Sequence, residues 1–282
     1  MQLIDLRQAE SKIDELNRII KKGEKTLVYV NSRQMVVKLA GELRNAADDT
    51  IRPTICYYHG GLPIVDRVKI ENDFREGTLK VIVTTSAFGE GIDVPDIRHV
   101  VLYHLSFSKE EHNQLAGRAG RDGSLAYIYL MYNRRDENLN MNVLKSSCPG
   151  REILGKFYKM LLELATNQQT IELTNQQLAD MVISRKICQV TPDTISYWLG
   201  VFEELGFLER EREGNKRRIT MISNPAKVEL EQSLWYQEAV AELEDYQKYL
   251  AVAFHNDMDY LLKMVNQPIY PAKWLKVEGG NV

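Results

Sequence analysis

The sequence predicts an α/β fold: a parallel-sheet domain, then a small α+β domain, then a long C-terminal helix. Two observations carry that reading. In the first half, short β-branched runs alternate with amphipathic segments, a rhythm that calls for a parallel sheet with right-handed helical crossovers. In the second half the rhythm changes to three helices with chemically marked starts, followed by two short strands around a turn. At 282 residues the chain has room for about two domains whose cores need no disulfide staples.

Taken in order, residues 26–30, 54–58, 80–85, 99–103 and 126–131 read as buried strands. Helical spacing fills residues 6–20, 34–47 and 65–74, and Ser108 with Glu111 has the capping-box spacing for a further helix. Ligand-bearing loops are then expected beyond the carboxyl ends of the strands. Ser147-Cys148-Pro149-Gly150 breaks the pattern. After it come a helix at 152–164, a helix opening at Thr174 with Gln177 in capping-box register, and a third from Thr191-Pro192 to Gly206. Strands at 207–213 and 216–222 flank the turn pair Gly214-Asn215 and complete a winged-helix pattern. Residues 225–265 form an acidic helical pattern with three Lys against eight Asp+Glu. The expected domains are therefore 1–147, 148–224 and 225–282.

Charge and composition exclude several classes. With 36 Lys+Arg against 39 Asp+Glu, the net charge of −3 is no uniformly basic coat, so any nucleic-acid contact must be local. Cys56, Cys148 and Cys188 lie far apart and match no zinc spacing, which fits a reduced, cytoplasmic setting. The longest uncharged stretch, 53–65, is far shorter than the roughly 20 apolar residues of a membrane span. Residues 1–5 have neither the basic nor the apolar region of a signal peptide.

Two stretches carry chemistry. In Gln114-Leu115-Ala116-Gly117-Arg118-Ala119-Gly120-Arg121-Asp122-Gly123, two arginines stand three positions apart between glycines. Arginine keeps its charge and offers a planar fork of donors, so Arg118 and Arg121 on one turn suit phosphate oxygens. A surface ion pair is the plainer alternative. Upstream, residues 83–95 leave a strand into a loop rich in hydroxyls and glycines. There Thr85 can donate to a phosphate, Gly89 and Gly91 permit close backbone approach, and Asp93 can accept from a ribose hydroxyl or orient an arginine. A tight turn between elements is the alternative for this loop.

These stretches resemble motifs V and VI of superfamily 2 helicases, and the Ala87-Phe88-Gly89-x-Gly91-Ile92 core and trailing Asp122-Gly123 are most similar to the RecQ branch. Residues 28–33 resemble motif IV, and Tyr58-His59-Gly60-Gly61-Leu62 with Arg67 resembles motif IVa, so the likeness covers about residues 12–135. The resemblance implies a second RecA-like lobe of an ATP-dependent DNA helicase of repair and recombination. It implies Arg118 and Arg121 as ATP-sensing and finger residues, and nucleotide contacts at Gly91, Asp93 and Gln114. It also implies contact with the nucleic-acid strand at Ser32, Arg33, His59, Gly60 and Thr85.

Half an ATPase needs its other half. ATP and Mg²⁺ would be shared with a P-loop-bearing first lobe that these residues do not contain. Gly150-Arg151-Glu152-Ile153-Leu154-Gly155-Lys156-Phe157 fits the P-loop frame but ends in Phe where the metal-binding hydroxyl belongs. Its apolar stripe, Ile153, Leu154, Phe157, Leu161 and Leu162, assigns it instead to the winged-helix core. The four-cysteine module of RecQ enzymes is missing, so no zinc is expected, and pairing His104 with His112 on a metal finds no further ligand candidates. The expected partners are single-stranded or forked DNA, that first lobe, and a single-strand DNA-binding protein; no membrane is expected.

In the winged helix, the third helix carries Asp193, Glu203 and Glu204 and no Lys or Arg, a poor surface for insertion against phosphates. The hairpin places Arg210, Arg212, Lys216, Arg217 and Arg218 against Glu209, Glu211 and Glu213. Wing contact with DNA competes with a charge-paired hairpin or protein docking, and Tyr197, Trp198 and Phe202 read as core. A weaker resemblance covers the C-terminal third. A winged helix followed by Ser233-Leu234-Trp235-Tyr236 and a long acidic helix looks like the C-terminal extension of RecJ-type single-strand exonucleases from Firmicutes. That implies a non-motor DNA-binding or partner-docking appendage as the alternative function. A winged-helix regulator with an α/β sensor domain is a third reading, which the acidic third helix disfavours.

Overall fold

The computed structural model describes residues 2–88, 93–165, 170–213 and 216–265. The chain forms two compact units: residues 1–138 with 248–282, and residues 139–247. The helical extension expected at 225–282 is thus divided between them.

In the first unit six strands form one all-parallel sheet in the order β1-β6-β5-β2-β4-β3. They are β1 (Gln2–Asp5), β2 (Thr26–Tyr29), β3 (Ile55–Tyr58), β4 (Val81–Thr84), β5 (His99–Leu102) and β6 (Tyr127–Leu130). The central strands β2, β4 and β5 are buried along their whole length, as a sheet covered on both faces requires. The helices are α1 (Lys12–Ile20), α2 (Arg33–Ala46), α3 (Ile64–Glu76) and α4 (Lys109–Ala116). Ser11, Ser32 and Ser108 cap α1, α2 and α4, each accepting from a backbone N–H three residues on. Leu16, Ile20, Val36, Leu39 and Leu43 pack from α1 and α2 onto Val28, Val83 and Val101 to form the core.

The structure corrects the expected helix at 6–20, which starts only at Lys12 because Ser11 caps it. Residues 2–5 form β1 instead, a half-exposed edge strand whose only definition is its pairing with β6. The helix expected at 65–74 is present, but Ile64, Val65 and Val68 are exposed and only Phe74 is buried. An unforeseen helix, α5 (Arg134–Ser147), follows β6. The closing helices are α9 (Leu234–Ala253) and α10 (Met258–Val265), so the continuous helical pattern read at 225–265 is interrupted.

The second unit holds α6 (Arg151–Leu164), α7 (Asn175–Ser184), α8 (Pro192–Glu204) and an antiparallel sheet β7-β9-β8. Its strands are β7 (Thr170–Ile171), β8 (Leu208–Glu213) and β9 (Lys216–Met221). The turn pair Gly214-Asn215 lies outside the described residues. Thr174 and Gln177 make both bonds of the capping box. Leu154, Phe157 and Leu161 of α6 meet Leu178, Val182, Ile195, Trp198 and Phe202, with Leu208 and Ile219 closing the core from the wing. Phe157, the residue that spoils the P-loop frame, is fully buried here. Leu162 departs from the expected stripe and is exposed, and Tyr197 is half-buried with its hydroxyl donating to the Trp235 carbonyl.

Trp198 is wholly buried and its indole N–H donates to the Ser146 carbonyl at 2.8 Å. Trp198→Ala should therefore lower the stability of this unit by about 3–5 kcal/mol in urea unfolding, a large aromatic deletion that also strands an acceptor.

Candidate nucleic-acid and nucleotide interface

Because every strand of the first sheet runs the same way, the loops beyond β2, β3 and β4 emerge at one edge. Those loops carry Ser32 and Arg33, His59 and Gly60, and Thr85. The Arg33 guanidinium and the His59 ring converge over Gly61, where an added Cβ would stand 3.2 Å from Arg33 Nη1 and 3.3 Å from His59 Nδ1. The Gly61 N–H donates to His59 Nδ1 at 3.2 Å, which orients that ring. An added Cβ at Gly60 would lie 3.8 Å from Ala87, so the β3 and β4 loops touch there. The loop after β2 is tied down on its other side: Asn31 donates from its N–H to His104 Nδ1 at 3.2 Å and from its amide to the Leu105 carbonyl at 2.6 Å. The Ser32 hydroxyl is engaged as the α2 cap, accepting from the Met35 N–H at 3.2 Å.

The arginine pair stands after α4. The Gly120 N–H donates to the Ile97 carbonyl and the Asp122 N–H to the Pro95 carbonyl, so the backbone of this turn is stitched to the segment after Asp93. Arg121 donates to Asp93 Oδ1 at 3.3 Å and Nε reaches the Gly117 carbonyl at 3.4 Å; both partners are substantially exposed. Arg118 is half-buried, and both guanidiniums stand close enough to the buried Tyr29 hydroxyl to favour its ionised form, although burial, the larger influence, raises its pKa. Asp122 turns away to Arg98, whose hydrogen bonds hold its carboxyl below the usual range. Gln114 is exposed on α4, and Gly91, with Gly89, lies outside the described residues. The donor set of Arg118 and Arg121 beside an exchangeable carboxylate suits the phosphates of a nucleotide. Among the described residues no group of three or more His, Cys, Asp or Glu stands together to hold a metal.

Helix α4 is anchored by a buried polar chain that the sequence did not announce. His112 Nδ1 pairs with the Tyr249 hydroxyl at 2.9 Å, and that hydroxyl with Ser106 Oγ at 2.8 Å. Burial pushes the His112 pKa down to about 4, and its Nε2 has no partner. His104 and His112 thus serve different partners and share no ligand.

In the wing, Arg210 donates to both carboxylate oxygens of Glu203 and to the Ser196 carbonyl, and Arg218 donates to Glu172 at 2.8 Å. Arg212 and Arg217 are paired across the hairpin, as are Glu213 and Lys216; the side chains of these residues lie outside the described part. On α8, Tyr197, Gly200 and Glu204 face residues 233–235: a Cβ at Gly200 would stand 2.8 Å from the Trp235 ring, and Glu204 accepts from Ser233, Leu234 and Trp235.

Comparison with known proteins gives two family matches: "Helicase conserved C-terminal domain" over residues 11–123, and "Single-strand DNA-specific exonuclease, C terminal domain" over residues 69–259. The chain is 30% identical to the probable ATP-dependent DNA helicase RecS of Bacillus subtilis over 182 residues, 63% of this chain and 35% of that protein. It is 31% identical to the ATP-dependent DNA helicase RecQ of Haemophilus influenzae over 167 residues, 58% of this chain and 26% of that protein. The chain belongs to the exonuclease C-terminal domain family and carries a RecQ-like, superfamily 2 helicase C-terminal lobe. It spans about a third or less of the length of those two helicases. Among solved structures, E. coli DEAD-box protein SrmB bound to regulator of ribonuclease activity A is 26% identical, with TM-score 0.42 over 50% of this chain and 81% of that one. No helix among the described residues is long and apolar enough to cross a membrane.

Two outcomes follow for the RecQ-like lobe. Gly120 has φ +58°, and an added Cβ would stand 2.8 Å from the Ser124 carbonyl oxygen, so Gly120→Ala should cost about 1–3 kcal/mol in denaturant unfolding and displace the arginine turn. His112 is neutral when folded, with a pKa of about 4 against an ordinary 6.5, so the unfolded chain takes up the proton first as pH falls. Its contribution to stability is full above about pH 6.5 and shrinks down to about pH 4, by on the order of 3 kcal/mol. Unfolding at a series of pH values should show that slope, and His112→Gln should flatten it.

Proposed function

We propose that this chain is the strand-holding C-terminal region of a single-strand DNA exonuclease, in which a helicase lobe serves as a grip on DNA. The observation that carries the reading is the convergence of Arg33 and His59 over Gly61 at the carboxyl edge of the sheet, with Gly60 against Ala87 of the Thr85 loop. An exposed Arg33 guanidinium beside the half-buried His59 imidazole and Thr85 hydroxyl, on neighbouring rigid strand ends, suits the phosphates of one strand, and a glycine backbone lets that strand approach. The family match that runs from residue 69 through the wing to 259 supports treating lobe and winged helix as one functional piece. The wing contributes less than its charge suggests, because Arg210 and Arg218 already hold Glu203 and Glu172.

A second reading is favoured by the arginine turn: the lobe completes an ATP site in a two-lobed motor. Arg118 and Arg121 would face the nucleotide phosphates, with Asp93 releasing Arg121 as phosphate takes its place, while the first lobe supplies the P-loop and the Mg²⁺ ligands.

Binding of a labelled oligothymidylate should weaken at least about tenfold in Arg33→Ala/His59→Ala, with a shallower salt dependence, since phosphate contacts are lost. Unchanged affinity in a folded variant would overturn the strand-holding reading. In the full-length parent, Arg121→Ala separates the two readings. A motor should lose DNA-stimulated ATP hydrolysis by about 10³-fold or more, whereas an exonuclease grip should show no ATP hydrolysis to lose.

A further inference from the structure

We propose that the cleft between the ends of β1, β6 and α9 is a second phosphate-binding site for a nucleic-acid strand, separate from the Arg33–His59 grip and from the arginine turn. The cleft has a volume of about 370 Å³ and sits where Asp5 ends β1, where Asn133 follows β6, and where Phe254 and Asn256 follow α9. All of these residues belong to the first unit.

The chemistry of its walls is that of an anion site. Arg7 is fully engaged: it donates to both carboxylate oxygens of Asp5, at 2.8 and 2.7 Å, and to the carbonyls of Ala253 and His255, at 3.1 and 3.0 Å. That single guanidinium thereby neutralises the acid in the cleft and covers the carbonyls at the α9 end, the groups that would repel an anion. Asn133 Oδ1 is likewise occupied by the Arg135 N–H at 2.9 Å. Donors are what remain. The side chains of Gln8, Arg135 and Asn256 line the cleft and have no partner among the described residues. Arg134 lies 4.2 Å from the Phe254 ring centroid and meets Glu137 at 3.1 Å, with its side chain 73% exposed, so the ring orients a guanidinium that remains open to the cleft. Two adjacent arginines with two carboxamide donors match the oxygens of a phosphate better than a lone carboxylate, which offers fewer acceptors.

The source of the phosphate is argued from position. The cleft opens at the carboxyl edge of the sheet, the same edge that presents Ser32, Thr85 and His59 two, three and four strands away from β6. A strand laid along that edge would reach both. The assignment stands on the cleft alone and does not require the other grip, so the two are tested separately.

The experiment uses the full chain, with a labelled oligothymidylate titrated at several salt concentrations and inorganic phosphate titrated in parallel, the latter followed by amide shifts at Gln8, Arg135 and Asn256. The comparison is between wild type, Arg134→Ala/Arg135→Ala, Arg33→Ala/His59→Ala, and the variant that combines all four substitutions. The expected result is a loss of about tenfold in strand affinity in Arg134→Ala/Arg135→Ala, with the salt slope reduced by about 1.4 for two lost contacts, both effects persisting in the Arg33→Ala/His59→Ala background. Phosphate shifts that vanish in Arg134→Ala/Arg135→Ala without any change in strand affinity would overturn the strand as the ligand, in favour of a free phosphate. No effect on either ligand, with wild-type melting, would overturn the site altogether.

Discussion

Parallel pairing is the constraint on which the rest of this chain depends. When all strands of a sheet point one way, their carboxyl ends and the loops that leave them must share an edge. Adjacent strands are about 4.8 Å apart, so the loops after β2, β4 and β3 stand within about 10 Å of one another although their residues are scattered through the sequence. Short side chains and glycines at those ends, with Gly60 beside Ala87 and Gly61 beneath Arg33, let the loops close into one surface. The same constraint brings the cleft at β1 and β6 to that edge.

A surface of this kind is useful only if the elements behind it hold still. The lobe does this with buried polar groups whose partners come from far along the chain. Tyr249 reaches His112 across 137 positions and Ser106 across 143, so the helix leading into the arginine turn is fastened by a residue of α9. Tyr132 donates to the Ala253 carbonyl at 2.8 Å, and Arg7 donates to the same carbonyl. Unpaired, such groups would cost about 1–3 kcal/mol each, so the end of α9 belongs to the lobe as firmly as its own helices do.

Ion-pair geometry sorts the arginines by availability. Arg121 touches Asp93 at 3.3 Å in the open, a pairing worth little to stability. Arg210 is held by a carboxylate and a carbonyl together and is only 20% exposed, so its charge is largely committed to joining β8 to α8. The helix that a winged-helix reader would insert into a groove is acidic, and its Tyr197–Gly200–Glu204 side carries Trp235 instead. An overall charge of −3 is consistent with cationic contacts confined to particular loop ends.

By itself the sequence determined the parallel α/β class, five of the six strands of the sheet, the capped starts of α4, α7 and α8, the winged-helix order and the glycine-flanked arginine turn. These are local signals: period, β-branching, a hydroxyl three residues before an N–H. The first strand was not legible, because a four-residue half-exposed edge strand has no pattern apart from its neighbour. The exposure of Ile64, Val65 and Val68 was not legible either, since a helix's periodicity does not say which of its turns another element covers. Of the candidate site, the residue types could be read but their company could not. That Arg33 meets His59, that Asp122 serves Arg98, that Arg210 is bound to Glu203, and that His112 leans on Tyr249 were decided by tertiary structure alone. Each joins residues whose proximity depends on how the sheet and helices pack, and one-dimensional spacing carries no information about which of many charges and donors that packing will bring within reach.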